Sequence, residues 1–231
     1  MSGSTSALQG LYPFLHGARQ DAGRLDAALL ESIRQKCDDS LETKRRFFAA
    51  QGGRIVAAAR AIADVYRGGG RLLCMGNGGS SCDAAHVAVE FQHPVTAGRP
   101  ALPAINLITD TAMMTAVGND VGFEHIFARQ VIAHGRRGDG LIGISTSGNS
   151  DNLLTAFARA RAMGLVTIGL AGHDGGRMAT CGDVDHCLVV DSDSVHRVQE
   201  THVALYHILW DLVHTLLADD RGGLKNMETP A

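Results

Sequence analysis

Five short apolar runs, each followed by a loop rich in glycine or hydroxyls, constrain this chain more than any other feature. They are RLLCM (71–75), ALPAINLIT (101–109), GLIGIS (140–145), VTIGLAG (166–172) and CLVVDS (187–192). Each is nearly continuous in apolar residues and does not alternate, the pattern of a parallel strand buried on both faces. Helical patterns stand between them: a stretch holding Met113, Met114 and Val117, a segment ending at Gly164, and a short GGRMATCG (175–182). The last helix runs from about Val195 to Ala218, with Val198, Leu205, Leu209, Leu212, Val213 and Leu216 on one stripe. Strands alternating with helices imply right-handed crossovers, hence an α/β protein with a five-stranded parallel sheet and helices on both sides. Two helices precede the sheet. One carries Leu25, Leu29, Leu30 and Ile33 on a single face, and a second runs from Leu41 to Tyr66, stopped by Gly68-Gly69-Gly70.

Composition removes other classes. With 21 Lys and Arg against 24 Asp and Glu the net charge is −3, too little for a generic nucleic-acid binder. No apolar run reaches the roughly 18–20 residues that cross a bilayer, and the first residues lack the basic start and apolar stretch of a secretory signal. Five cysteines without a CxxC pair suit neither a disulfide framework nor a cysteine-rich zinc module. A cytoplasmic protein is expected, with no nucleic-acid or membrane partner.

In an open parallel sheet ligands bind beyond the carboxyl ends of the strands. After the first run comes Gly76-Asn77-Gly78-Gly79-Ser80-Ser81, with a helix expected from about Asp83. After the third comes Ser145-Thr146-Ser147-Gly148-Asn149-Ser150, then another helix. One Ser/Gly turn before a helix is ordinarily an N-cap. Capping uses one hydroxyl, though, and the second loop offers four, so a phosphate or carboxylate is expected there. On the helix after the first loop, His86 and Glu90 lie one turn apart on a shared face, flanked by Val87, Val89 and Phe91, which suggest a largely buried helix. On the last helix His202 and His207 are about 140° apart, and Gln199 and His207 about 80° apart with about 12 Å of rise. Spacing alone therefore does not join Gln199 and His207 in one site.

The strings GNGGSSCDAAHVAVEF, RPALPAINLITD with AVGND (116–120), GDGLIGISTSGNS, AGHDGG and RVQETHVALYH resemble, in order and across about residues 45–217, the phosphoheptose isomerases. These are a branch of the SIS phosphosugar-binding proteins. The resemblance implies a three-layer αβα SIS domain over 41–220, after a tail and helical extension (1–40) and before a C-terminal tail (221–231). It also implies a homotetramer whose active sites draw residues from neighbouring subunits. The implied reaction is the isomerisation of D-sedoheptulose 7-phosphate to D-glycero-D-manno-heptose 7-phosphate through an enediol. Carried over residue by residue, one zinc ion per subunit, weakly held, falls to His86, Glu90, Gln199 and His207. Substrate contacts fall to Asn77, Gly78, Gly79, Ser80, Glu90, Asn119, Asp120, Ser145, Thr146, Ser147, Ser150 and Gln199. The resemblance makes Glu90 the base and His207 the acid.

Two other readings compete. A relative of these isomerases is a non-catalytic phosphosugar-binding regulator of the replication initiator, which lacks the acid, base and metal positions; this chain keeps all four of His86, Glu90, Gln199 and His207. The other is an SIS isomerase for a different sugar phosphate, against which the Gln199–His207 helix argues.

Overall fold

The computed structural model describes residues 22–219. Helix α1 (Ala22–Arg67) leads into β1 (Leu72–Gly76), α2 (Gly79–Gln92), β2 (Ala104–Asn106) and α3 (Thr111–Asp120). A 3-10 turn (Phe123–His125), α4 (Ile126–His134), β3 (Gly140–Ser145) and α5 (Asp151–Met163) follow. The rest is β4 (Val166–Gly172), α6 (Gly176–Thr180), β5 (His186–Val190) and α7 (Val195–Asp219). The five strands are all parallel, in the order β2-β1-β3-β4-β5.

The sheet separates two cores. Leu72 and Cys74 of β1, Ile142 and Ile144 of β3, and Ile168 and Leu170 of β4 face one side, against α1, α2 and α7. Leu73, Met75 and Leu141 face the other, against α3, α4, α5 and α6. Successive side chains on a strand point to opposite faces, so a run covered on both sides must be apolar throughout. The α/β reading with helices on both sides of a five-stranded parallel sheet therefore holds. Gly164 closes α5 in the left-handed conformation (φ 81), its N–H donating to the Ala160 and Arg161 carbonyls, which is why the helical pattern stops there.

Four local expectations change. The two helices expected before the sheet are one, because no proline or glycine between Ile33 and Leu41 interrupts the backbone ladder. By packing, the described residues divide into two units between Asp39 and Ser40. In the first, Leu25, Leu29, Leu30 and Ile33 are all exposed. Helix α4 was not anticipated, although Ile126, Phe127 and Val131 are fully buried at helical spacing. Helix α2 starts at Gly79, four residues before the expected Asp83, so Ser80 belongs to its first turn. Lastly, Val87 and Phe91 are buried but Val89 is 49% exposed, so only one face of α2 enters the core.

The stripe on α7 packs on the chain's own sheet: Val198, Leu205, Leu209 and Val213 lie within the first core. Among them sits His202, fully buried, with Nε2 at 3.1 Å from the Ala171 carbonyl of β4. A carbonyl only accepts, so Nε2 carries the proton; Nδ1 has no hydrogen-bond partner among the described residues. Burial pushes the pKa of this imidazole down from 6.5 to about 4, against the pull of the Ala171 hydrogen bond. Between those values the unfolded chain binds a proton that the folded one refuses, so stability falls as pH drops through that window. The loss is at most ~3 kcal/mol. Relative to a His202→Gln variant, the native protein should lose this stability between pH 6.5 and 4, as read by urea titration; parallel curves would refute it.

Candidate active site

Two loops meet at the carboxyl ends of β1 and β3. The first is pinned by close backbone approach: a Cβ on Gly76 would strike the Ser80 carbonyl, and Gly78 turns with φ 53. No side chain caps α2, and Ser81 Oγ instead donates to the Gly78 carbonyl at 2.6 Å. In the second loop, buried Ser145 pairs its Oγ with that of Ser150 at 3.0 Å, and Ser147 Oγ accepts from the Asn149 N–H at 3.2 Å. Thr146 is half-buried and Ser147 exposed. Arg177 of α6 braces this loop, donating to the Asn149 carbonyl and to Asp151. Gly148, at φ 65, lies against the Gly175 carbonyl with no room for a side chain. A reciprocal amide pair, Asn77 with Asn152 at 2.9 Å in each direction, ties the two loops together. Beside it opens a cavity of about 390 Å³ bordered by Phe123, Glu124 and Ser150.

A second cluster forms where α2 meets α7. Nitrogens of His86 and His207 and a carboxylate oxygen of Glu90 all lie within 4.8 Å of one another. His86 Nε2 is 3.1 Å from Glu90 Oε1, while its Nδ1 is 2.9 Å from the Tyr206 hydroxyl. Burial raises the pKa of Tyr206, with the charges of Asp83 and Glu90 adding to it, so this phenol stays protonated. Two imidazoles and one carboxylate form the nitrogen and oxygen donor set that zinc accepts. The residues present thus fit such an ion, and Tyr206 would be the outer hydrogen-bond partner orienting the His86 imidazole.

Gln199 sits nearer the start of α2. Its Nε2 donates to Asp83 at 2.9 Å, and its carboxamide lies so close to Gly79 that a Cβ there would be 2.6 Å from Nε2. Asp83 is buried, which raises its pKa, while the Gln199 hydrogen bond and then His86 pull it back down. From Gly79 to His86 and Glu90 the axial rise is about 10 and 16 Å. The loops thus occupy one end of α2 and the cluster lies two to three turns along it. Asn119 and Asp120, at the end of α3, are exposed and hydrogen bond to each other at 2.7 Å. Among the described residues no hydrogen bond joins them to the loops or to the His86 cluster.

Sequence reasoning missed Asp83, Tyr206, Asn152 and also Trp210, whose indole N–H donates to the Glu90 carbonyl at 2.8 Å. Asp83 had a signal, since residues 83, 86 and 90 share one face of a helix. The other three depend on contacts between distant segments. The two glycines predict contrasting outcomes. Gly79→Ala meets the far end of a flexible side chain, which can shift and still donate to Asp83, so stability should change by under ~1 kcal/mol. Gly148→Ala faces fixed backbone and a positive φ, so it should cost at least ~2 kcal/mol. Denaturant unfolding of both variants, with a crystal structure of the first, checks this; equal losses would contradict the packing described.

The pattern of the SIS domain family matches residues 37–172. The phosphoheptose isomerase of a Roseiflexus species is 44% identical over 181 residues, covering 78% of this chain and 91% of that protein. The solved phosphoheptose isomerase GmhA from Neisseria gonorrhoeae superposes with a TM-score of 0.76 at 38% identity, over 81% of this chain and 99% of that one. A phosphoheptose isomerase from Francisella tularensis gives 0.77 at 36%, over 80% of this chain and 98% of that one.

Proposed function

Because the chain belongs to the SIS domain family and, within it, to the phosphoheptose isomerases, we propose roles for its individual residues in that reaction. The activity is aldose–ketose isomerisation of D-sedoheptulose 7-phosphate to D-glycero-D-manno-heptose 7-phosphate. The observation that carries the assignment is the convergence of His86, Glu90 and His207 within 4.8 Å. Isomerisation moves a proton from C1 to C2 through an enediol, so it needs a base at carbon and an acid at oxygen. Glu90 takes the C1 proton while His207 protonates the C2 oxygen. Return of the proton to C2 and loss of the O1 proton complete the aldose. Ser145, Thr146, Ser147 and Ser150 hold the phosphate, with Gly78, Gly79 and Ser80 offering backbone and hydroxyl donors from the other loop. Asn77, Asn119, Asp120 and Gln199 serve the sugar.

Zinc would be held by His86, Glu90 and His207, with Gln199 as a fourth donor only once it leaves its hydrogen bond to Asp83; when bound it supplies an electrophile for charge developing on the sugar oxygens. A carboxylate that also moves protons cannot be a permanent tight ligand, so the ion is held weakly.

We assign a homotetramer with sites shared between subunits. Two features support it: the two to three turns of α2 between loops and cluster, and the exposure of Val89 (49%) and Ile208 (39%), the neighbours of Glu90 and His207. Light scattering at micromolar concentration should give four times the mass of one chain; a monomer would exclude shared sites. We place the reaction in the cytoplasm, since all five cysteines are free thiols.

Glu90→Gln should abolish exchange of the substrate's transferable carbon-bound proton with solvent deuterium, while a sugar phosphate still raises the melting temperature through linkage. His207→Asn should abolish turnover and weaken zinc. Native protein that neither isomerises nor exchanges protons with any sugar phosphate, zinc added, would leave the non-catalytic binding reading.

A further inference from the structure

The last turn of α2 carries Glu90 and then runs into a proline. In an uninterrupted helix the carbonyl of residue 90 accepts from the N–H of residue 94. Residue 94 is Pro94, which has no N–H. Pro94 also disfavours helical geometry at the residue before it, and His93 sits at φ −136, ψ 72. The neighbouring carbonyls find backbone donors: Val89 O accepts from His93 N, and Phe91 O from Leu102 N, both at 2.8 Å. The Glu90 carbonyl accepts from a different source, the indole Nε1–H of Trp210 on α7, at 2.8 Å.

That indole is itself held. The Arg99 guanidinium lies 4.3 Å from the ring centroid and its Nη2 pairs with Asp211 Oδ1 at 2.5 Å. Trp210 is 8% exposed, and His214 meets its ring edge-on with centroids 5.0 Å apart. Helix α7 therefore serves Glu90 twice. His207 approaches its carboxylate, and Trp210, one turn further along the same helix, takes its main-chain oxygen.

We propose that Trp210 is a positioning residue for Glu90: its indole N–H replaces the helical hydrogen bond that Pro94 cannot make. The proposal rests on Glu90 being the base. The alternative is that Trp210 contributes only packing, as a member of the core between the sheet, α2 and α7. The two differ in one respect. If the hydrogen bond matters, restoring a backbone donor at residue 94 should compensate for losing the indole; if only packing matters, it should not.

The test is a cycle of Trp210→Phe, Pro94→Ala and their combination in the full-length protein. Each is assayed for kcat and KM with sedoheptulose 7-phosphate and for amide hydrogen exchange of the peptide covering residues 86–93. Trp210→Phe keeps an aromatic ring but removes the donor. It should lower kcat about tenfold with KM changed by less than about twofold, and it should speed exchange in that peptide. Pro94→Ala alone should stay close to native. The double variant should recover most of the kcat and the slow exchange. Arg99→Met frees the ring without touching its N–H, so it should give a smaller loss of the same kind, also cured by Pro94→Ala; it replaces Trp210→Phe if that variant unfolds. Unchanged exchange in the donor-free variant, or a double variant no better than the single one, overturns the proposal. Native protein without isomerase activity instead overturns the role of Glu90, and the exchange measurement still decides whether the indole holds the helix end.

Discussion

Burial of the parallel sheet on both faces is the constraint from which the rest follows. With Leu72 and Cys74 committed to one core and Leu73 and Met75 to the other, β1 has no face left for polar chemistry. The same holds for β3, where Leu141 enters one core and Ile142 the other. On the sheet itself polar side chains are confined to the strand ends, and other polar chemistry falls to the covering helices. Both candidate clusters lie in those places, one at the tips of β1 and β3 and the other along the α2–α7 seam.

The seam is built from two helices running the same way. Gln199 meets Asp83, Tyr206 meets His86, and Trp210 meets the Glu90 carbonyl, so contacts advance together along α2 and α7. Each helix supplies what the other lacks: α2 the carboxylates, α7 the amide and indole donors, and one imidazole comes from each. A single buried carboxylate such as Asp83 would be costly without a donor, and the Gln199 amide supplies it. Glycine at residue 79 is what lets that amide come close enough.

Sheet and loops were legible because they depend on local pattern. Glycine-bounded apolar runs mark β1, β3 and β4, and four hydroxyls in six residues mark the second loop. His86 and Glu90 were legible for the same reason, since a shared helical face is a matter of spacing. His207 and Gln199 were not, because about 80° and 12 Å of separation on α7 say nothing about where α7 lies against α2; their assignment came from the family resemblance. Helix α4 escaped because its buried residues, Ile126, Phe127 and Val131, follow a turn with no cap signal: no side chain caps the helix at His125. The break expected between Ile33 and Leu41 failed for another reason, since the apolar stripe changes there without a proline or glycine to turn the chain. Trp210 escaped because the signal is an absence, a missing N–H at Pro94, that becomes visible only when another element fills it.

The parallel pairing of α2 and α7 also restricts how such a chain can change in length. Each residue turns a helix by about 100°. Deleting one residue between Gly79 and His86 would turn everything after it by that angle, so Val87 and Phe91 would leave the core as His86 and Glu90 leave His207 and Trp210. The same arithmetic applies between Gln199 and Trp210. Core and site are thus held by one and the same phase. The stretch from Val95 to Gly98 lies between the helix end that Trp210 grips and the Arg99 that holds its ring. It has no helical phase to keep, so a change of length there would leave the pairing of α2 with α7 in register.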